Sequence, residues 1–228
     1  TATAWNTDPI PPPKLAFDPG PVAAAQADLL WEAAGLGEPG GPVVVIHPGG
    51  GANPGMTLNA KRWPAERFGD VARSLVYSGY RVALVGDRTD AVVVDAVRES
   101  ASVPLADLSG GPDLATLAAI IGRAGAYLGN DSVPLHLAVA MGTPAVALYG
   151  PTDPRAFGPY APPGGPYFGR GVAIVSPDAC SQTRSFRPGP IEACAGCRCI
   201  DLIAPSDALR AVMGLLEAGR DRLEDSPR

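Results

Sequence analysis

The chain contains no apolar stretch of the roughly 20 residues that a membrane-spanning helix requires, so no segment reads as a transmembrane span. It has no run of five like charges and no basic stripe, and its net charge is −5. A surface built for nucleic acid needs the opposite balance. Cysteine is sparse, and Cys180, Cys194, Cys197 and Cys199 all lie in one late segment. A secreted disulfide scaffold would be smaller and would spread its cysteines out, so a reducing cytoplasm is expected. No internal repeat is visible. The opening residues, Thr1 to Pro13, are polar and proline-rich, which does not read as a signal peptide. An initiator methionine is also lacking, and the expectation is that the chain starts inside a longer protein.

What is present suffices for one large domain with a flanking segment. Of 228 residues, 46% are apolar, enough to bury a sizeable core. Gly 28 and Pro 26 together make nearly a quarter of the chain and cluster between periodic segments, which marks structured loops. Residues 1–41 read as a connector: Pro9 to Pro13 is stiff and extended, and Val22 to Ala34 forms a helix. The main domain is expected over residues 42–220, with a tail over 221–228.

Within that domain, short apolar runs alternate with helical patterns. Val43–Ile46 is a β-branched run of the kind buried on both faces of a sheet. Pro64 to Tyr77 is amphipathic, with Phe68, Val71, Leu75 and Val76 on one side and Pro64 at the helix start. Arg81–Val85 reads as a strand, Thr89 to Glu99 as a helix and Val103–Leu105 as a short strand. Asp113 to Arg123 is an acid-capped helix. Ala126–Leu128 is a strand, Pro134 to Met141 a helix and Ala145–Tyr149 a strand. A Pro/Gly-rich loop then runs to Gly171, followed by a strand at Val172–Val175, the cysteine segment and a last helix, Ser206 to Ala218, with Ser206 as its N-cap. Such alternation with short turns implies an α/β fold: a Rossmann-like, doubly wound parallel sheet.

In such sheets ligands bind at the carboxyl ends of the strands, near helix N-termini. Two turns stand at such places. The first follows Val43–Ile46 and reads His47-Pro48-Gly49-Gly50-Gly51-Ala52-Asn53, continuing to Lys61-Arg62-Trp63-Pro64. Three consecutive glycines let backbone N–H groups approach an anion closely, and Lys61 adds a mobile cation before a helix start. The spacing is neither a Walker A loop nor a G-x-G-x-x-G fingerprint, because Pro54 takes the third glycine position. The second turn is Gly129-Asn130-Asp131-Ser132-Val133-Pro134-Leu135-His136. A third segment, Tyr149 to Pro154, leaves the next strand at the same edge, and three such turns describe a pocket.

Every piece also has a purely structural reading. Gly-rich turns occur without ligands, and Lys61 and Arg62 could be solvated charges. Asp131 or Ser132 could serve only as helix caps, His136 could be a hydrogen-bonded, half-buried histidine, and Trp63 packs in the core.

Taken together, the run HPGGGANPGMTLNAKRWPAERF, the run GNDSVPLHLAVAMGTPAVALYGPTDP and their separation resemble glycosyltransferase family 9, the heptosyltransferases and their relatives. That family's pattern is K-x-W-P-x-E-x-[FW], then D-[ST]-G-x-x-H-L-A and G-x-P-x-x-x-L-[FY]-G-[PS]-T. The resemblance covers about residues 41 to 220. It implies a GT-B fold whose carboxy-terminal half binds the nucleotide-sugar donor, and this chain resembles that half with its preceding linker. The acceptor-binding domain and its proposed catalytic aspartate would then lie outside the chain, and the fragment alone would bind donor without transferring it.

Position by position, the resemblance places Lys61 at the donor diphosphate, where its ammonium stabilises the leaving group without a metal. Thr57 falls near the phosphates, beside the Gly49, Gly50 and Gly51 cradle. Asp131, Ser132, Leu135 and His136 match the turn that approaches phosphates and sugar, with Asp131 and His136 among the catalytic candidates. Asp90, or Asp87, stands near the ribose, and Gly111 to Leu114, including Pro112, near the base. The donor implied is a nucleoside-diphosphate sugar, ADP-linked and heptose-like, and the acceptor a glycan or lipid-linked glycan. No cofactor or metal is implied, no nucleic acid is expected, and membrane association would be peripheral at most, on the inner face of the cytoplasmic membrane.

The sequence departs from the family at Val133, where glycine is usual; a Cβ there would narrow access to the phosphates or restrict the turn. Cys194-x-x-Cys197-x-Cys199 with Cys180 fits a structural element better than zinc, whose sites favour C-x₂₋₄-C pairs. Two further readings remain at this level: a nucleotide-sugar epimerase of the same fold, and a non-catalytic nucleotide-binding module.

Overall fold

A computed structural model describes residues 15–37, 40–53, 56–159, 170–177 and 198–224. Its strands are β1 (Val43–His47), β2 (Ala52–Asn53), β3 (Met56–Thr57), β4 (Arg81–Leu84), β5 (Ala106–Asp107), β6 (Ala126–Asn130), β7 (Ala145–Tyr149) and β8 (Gly171–Val175). Its helices are α1 (Gly20–Ala33), α2 (Ala65–Tyr77), α3 (Ala91–Ala101), α4 (Leu114–Gly122), α5 (Val133–Met141), α6 (Pro154–Phe157) and α7 (Pro205–Glu224).

Six strands form one parallel sheet in the order β5-β4-β1-β6-β7-β8. The chain moves outward from β1 in one direction through β4 and β5, then returns to the other side of β1 for β6, β7 and β8. The strand order therefore reverses between β1 and β6, and the crevice above that point is where this architecture binds ligands. β2 and β3 make a separate small hairpin inside the first turn.

The buried β-branched strand is possible because each of its faces is covered. Val44 and Ile46 join a core with Phe68, Leu75, Val94, Val97, Val212 and Leu216, so α2, α3 and α7 cover one face. Val43 and Val45 join a second core with Trp31, Ile120, Ile121, Leu135 and Val139, so α1, α4 and α5 cover the other. Successive side chains of a strand point to opposite faces, and one apolar run feeds both cores.

Several local expectations shift. The helix foreseen in the connector is α1; it packs on the sheet through Ala27 and Trp31, with Leu36 just beyond it. The strand expected at Val103–Leu105 forms instead at Ala106–Asp107. Ser102 ends α3 in the left-handed region (φ 53) and Pro104 has no N–H for a ladder, so Val103 and Leu105 pack sideways on the first core. The helix read from Thr89 starts at Ala91, after a 3₁₀ turn over Arg88–Asp90. Asp113 caps α4 from outside, accepting from Thr116 N at 2.8 Å. Ser206 is not the N-cap of the last helix; Pro205 already begins it, with its φ preset for that position, and the helix continues to Glu224.

Pro9–Pro13, Cys180, Cys194 and Cys197 lie outside the described residues, while Cys199 opens a 3₁₀ turn, Cys199–Leu202. Among the described residues no group of three or more His, Cys, Asp or Glu is arranged to hold a metal, and no helix is long and apolar enough to cross a membrane.

Candidate functional site

Above the switch point lies a cavity of about 670 Å³. It is built from the first turn upward. Gly50 and Gly51 adopt φ +108 and +73, a region that L side chains rarely enter, and a Cβ on Gly51 would sit 2.5 Å from the Leu58 carbonyl. The loop doubles back, with Leu58 N donating to Gly51 O at 2.7 Å, into a 3₁₀ turn over Asn59–Lys61 that delivers Lys61 to the cavity. Arg62 leaves in another direction and donates from Nε to Gly50 O at 2.5 Å. It braces the glycine turn and is not merely a solvated charge.

Lys61 Nζ stands 2.6 Å from Asp131 Oδ2, with side chains 16% and 5% exposed. No directed hydrogen bond satisfies that oxygen, so the contact is an ion pair in which the ammonium keeps donors for another acceptor. Asp131 is therefore no helix cap. Ser132 occupies the N-cap position of α5 without a side-chain cap bond; it lines the cavity, and its hydroxyl lies 3.2 Å from His47 Nδ1. The carboxylate of Asp131 also acts on the buried Tyr149 phenol, which desolvation above all, and then the nearby Asp131 charge, push far above its usual range.

Asn130 holds the turns in register. It is fully buried; its Nδ2 donates to Pro48 O (3.0 Å) and Gly49 O (2.9 Å), and its Oδ1 accepts from Trp63 N (3.1 Å). One side chain thus joins the end of β6 to both ends of the first turn. Trp63 itself is core, edge-on to Phe68 with ring centroids 4.9 Å apart.

Asp90 is buried beneath the glycine turn. Its Oδ2 lies 3.3 Å from His47 Nε2 and accepts from Asp87 N at 3.2 Å, and Arg62 Nη2 stands 3.9 Å from Oδ1. Burial pushes this carboxyl up, but the His47 hydrogen bond and charge, the Asp87 N–H and Arg62 together hold it below its ordinary 3.8. A depressed folded value means stability that is present above about pH 4 and lost as pH falls through the folded value. Urea titrations of wild type and Asp90→Asn between neutral and acidic pH should show their stability difference shrinking as the solution is acidified below that point; a difference that stays constant would contradict this.

Of the sequence-derived candidates, Gly50, Gly51, Lys61, Asp90, Pro112, Asp131, Ser132 and His136 line the cavity together. Gly49 lies behind it, where a Cβ would collide with the Asp90 carboxylate. Thr57 is placed in β3, and its hydroxyl falls outside what is described. Leu135 does not line the cavity: it is fully buried in the second core, because the first turn of α5 points that position at the sheet. Asp87 sits at the rim, capping its own turn by accepting from Thr89 N at 2.7 Å.

Val133 is the first residue of α5, is 57% exposed and lines the cavity. It is not among the residues of positive φ, so this turn does not need glycine for its conformation, and the side chain changes only the space available. The residues that went unassigned in the sequence include His47, Asn130 and Phe157. A histidine ending a buried strand could have been noticed; nothing in spacing or composition marked the other two. Leu114, Val133 and Phe157 are exposed apolar side chains that line the cavity.

Comparison with known proteins bears on the family and the fold. A family model described as glycosyltransferase family 9 (heptosyltransferase) matches residues 22–165. Lipooligosaccharide heptosyltransferase 2 of Haemophilus influenzae is 33% identical over 159 residues, 68% of this chain and 43% of that protein. The solved glycosyl transferase family 9 structure from Veillonella parvula is 25% identical with a TM-score of 0.71, covering 89% of this chain and 54% of that one. E. coli ADP-heptose LPS heptosyltransferase II, at 24% identity and a TM-score of 0.60 over 86% of this chain and 52% of that one, shares the fold. The chain spans about half the length of these relatives. Since the matched segment covers more than half of the chain and contains both turns that line the cavity, the chain belongs to glycosyltransferase family 9, the heptosyltransferase family.

Proposed function

We propose that this chain is the donor-binding half of a heptosyltransferase-like enzyme, which moves a sugar from a nucleoside-diphosphate donor, ADP-linked, to a glycan or lipid-linked acceptor. The observation that carries the reading is the Lys61–Asp131 pair, held at the mouth of the switch-point cavity beside the N-terminus of α5. Helix N–H groups and one ammonium favour an anion there. The diphosphate lies against Lys61 and Ser132, the base rests on the apolar lining residues Pro112, Leu114, Leu117 and Phe157, and the sugar faces His136. E. coli heptosyltransferase II carries ADP-heptose in its name, which makes ADP the first probe.

In the reaction an acceptor hydroxyl attacks the anomeric carbon from the face opposite the phosphate. The bond from that carbon to the phosphate oxygen breaks, so the anomeric centre inverts. Negative charge gathers on the departing diphosphate, and Lys61 supplies the compensating charge that a metal ion supplies in other transferases. The base that takes the acceptor proton, and the acceptor site, belong to the domain that makes up the rest of the relatives' length. The protein works in the cytoplasm, at most peripherally at the inner membrane face.

Calorimetry with ADP, UDP and GDP tests the reading. Binding of ADP that Lys61→Ala strongly weakens is expected; no binding of any of the three to the folded chain, or equal binding after the substitution, sinks it.

A further inference from the structure

His47 takes no part in the reading above, yet it is 4% exposed and links the end of β1 to the turns that follow β4 and β6. Its Nε2 lies 3.3 Å from Asp90 Oδ2 and its Nδ1 lies 3.2 Å from Ser132 Oγ. Asp90 is ionised and can only accept, so Nε2 carries a proton and donates to it. That contact decides what Nδ1 does. In the neutral ring Nδ1 is a bare lone pair, and the Ser132 O–H must donate to it. In the imidazolium Nδ1 is protonated and donates to Ser132 Oγ, which turns the hydroxyl proton elsewhere.

A hydroxyl has one proton to give. Its other acceptors are the Asn130 carbonyl, 3.3 Å away, and whatever anion occupies the cavity that Ser132 lines. A phosphate oxygen beside Ser132 needs the very proton that neutral His47 holds.

We propose that His47 is a positioning residue that sets the direction of the Ser132 hydroxyl, and that a diphosphate bound beside Ser132 draws one proton from solvent onto the imidazole. This rests on the donor reading above. The proton stays on Nδ1, none passes to the nucleotide, and release of the nucleotide returns it to solvent. The charged groups around the ring favour the exchange. Asp90 faces Nε2, with Arg62 behind it at 3.9 Å from Oδ1. Across the cavity Lys61 is neutralised by Asp131, the carboxylates of Asp87 and Asp113 stand on the rim, and His136 lines the same space. Among the described residues Lys61, paired with Asp131, is the one Lys or Arg that lines this space, so the added positive charge faces an incoming polyanion.

The chain has two histidines, so ring ¹⁵N resonances can be assigned with a single His136→Gln spectrum. At about pH 7.5 the inference requires one protonated nitrogen on His47 without nucleotide and two when saturated with ADP. Calorimetry in buffers of different ionisation enthalpy should give net proton uptake, and the dissociation constant should rise by up to about tenfold per pH unit where the free ring is neutral. The terminal phosphate of ADP also titrates near neutrality, so uptake is compared with Ser132→Ala, which shares that contribution. The serine variant should lose the excess uptake, and Ser132→Thr should restore it. If ADP binds while His47 keeps a single protonated nitrogen, or if Ser132→Ala takes up as many protons as wild type, the inference is overturned and the donor reading stands. If ADP does not bind at all, the donor reading fails and the inference falls with it.

Discussion

Lys61→Ala is expected to weaken ADP binding about a hundredfold and also to destabilise the fold, while a further Asp131→Asn should return the stability without the affinity. The first effect follows from losing a charge-assisted contact to a diphosphate, about 1.5–3 kcal/mol, of which the upper part corresponds to a hundredfold in affinity. The second follows from what Lys61 leaves behind. The Asp131 side chain is 5% exposed, and the 2.6 Å ion pair is the contact that compensates its Oδ2. Stripping one partner from a fully buried pair costs about 3–5 kcal/mol. Lys61 is 16% exposed and opens on a wet cavity, so about 1–2 kcal/mol is expected here. Neutralising Asp131 removes the uncompensated charge but restores no cation for the phosphates. Calorimetry and urea titration of the single and double variants separate the two effects. A double variant that regains affinity would show that Asp131 is the inhibitory group and that the ammonium is dispensable.

Asn130→Ala is expected to cost about 3 kcal/mol or more, a large change for a site with no net charge. Three backbone groups lose their partner: the carbonyls of Pro48 and Gly49 and the N–H of Trp63. Each buried polar group left unsatisfied costs about 1–3 kcal/mol, and water entering the space left by the side chain recovers part of that. For a domain of this size the melting temperature should fall by about 2–4 °C per kcal/mol. The same substitution unties the first turn from β6 and from the entry to α2, so Lys61 loses its position and ADP affinity should drop as well. Asn130→Asp is no rescue, because a carboxylate facing two carbonyls replaces a donor by an acceptor. A thermal midpoint within a degree of wild type would contradict the role assigned to this side chain.

The fold was legible because its signals are local. Val43–Ile46 and Ala145–Tyr149 are buried on every residue, and a run apolar at every position has no wet face to offer. Phe68, Val71 and Leu75 recur at helical spacing and are all buried on one side of α2. The boundaries that moved did so where a single residue's backbone chemistry outweighed the apolar pattern, as with Pro104 before β5 and Pro205 at the start of α7.

The site was legible in part, for the same reason. Two turns at the ends of β1 and β6 bear an anion-binding pattern in their own residues, and both line the cavity. What each polar side chain does there was not readable. Asp131 was open between cap and ligand contact until Lys61, a residue from another turn, was seen beside it. Leu135 stood in the signature turn, yet the direction of its side chain depends on which side of α5 meets the sheet, and it faces the core.

By itself, then, the sequence determined the parallel doubly wound sheet, the two turns at its carboxyl edge and the family they belong to. These are properties of apolar periodicity and of short runs of contiguous residues. Only the tertiary structure decided that His47 bridges Asp90 and Ser132, partners 43 and 85 positions away, and that Asn130 ties three backbone groups across the switch point. A buried polar group must find its partner wherever the chain brings one, and that pairing is settled by the crossing of βα units rather than by any neighbour in sequence.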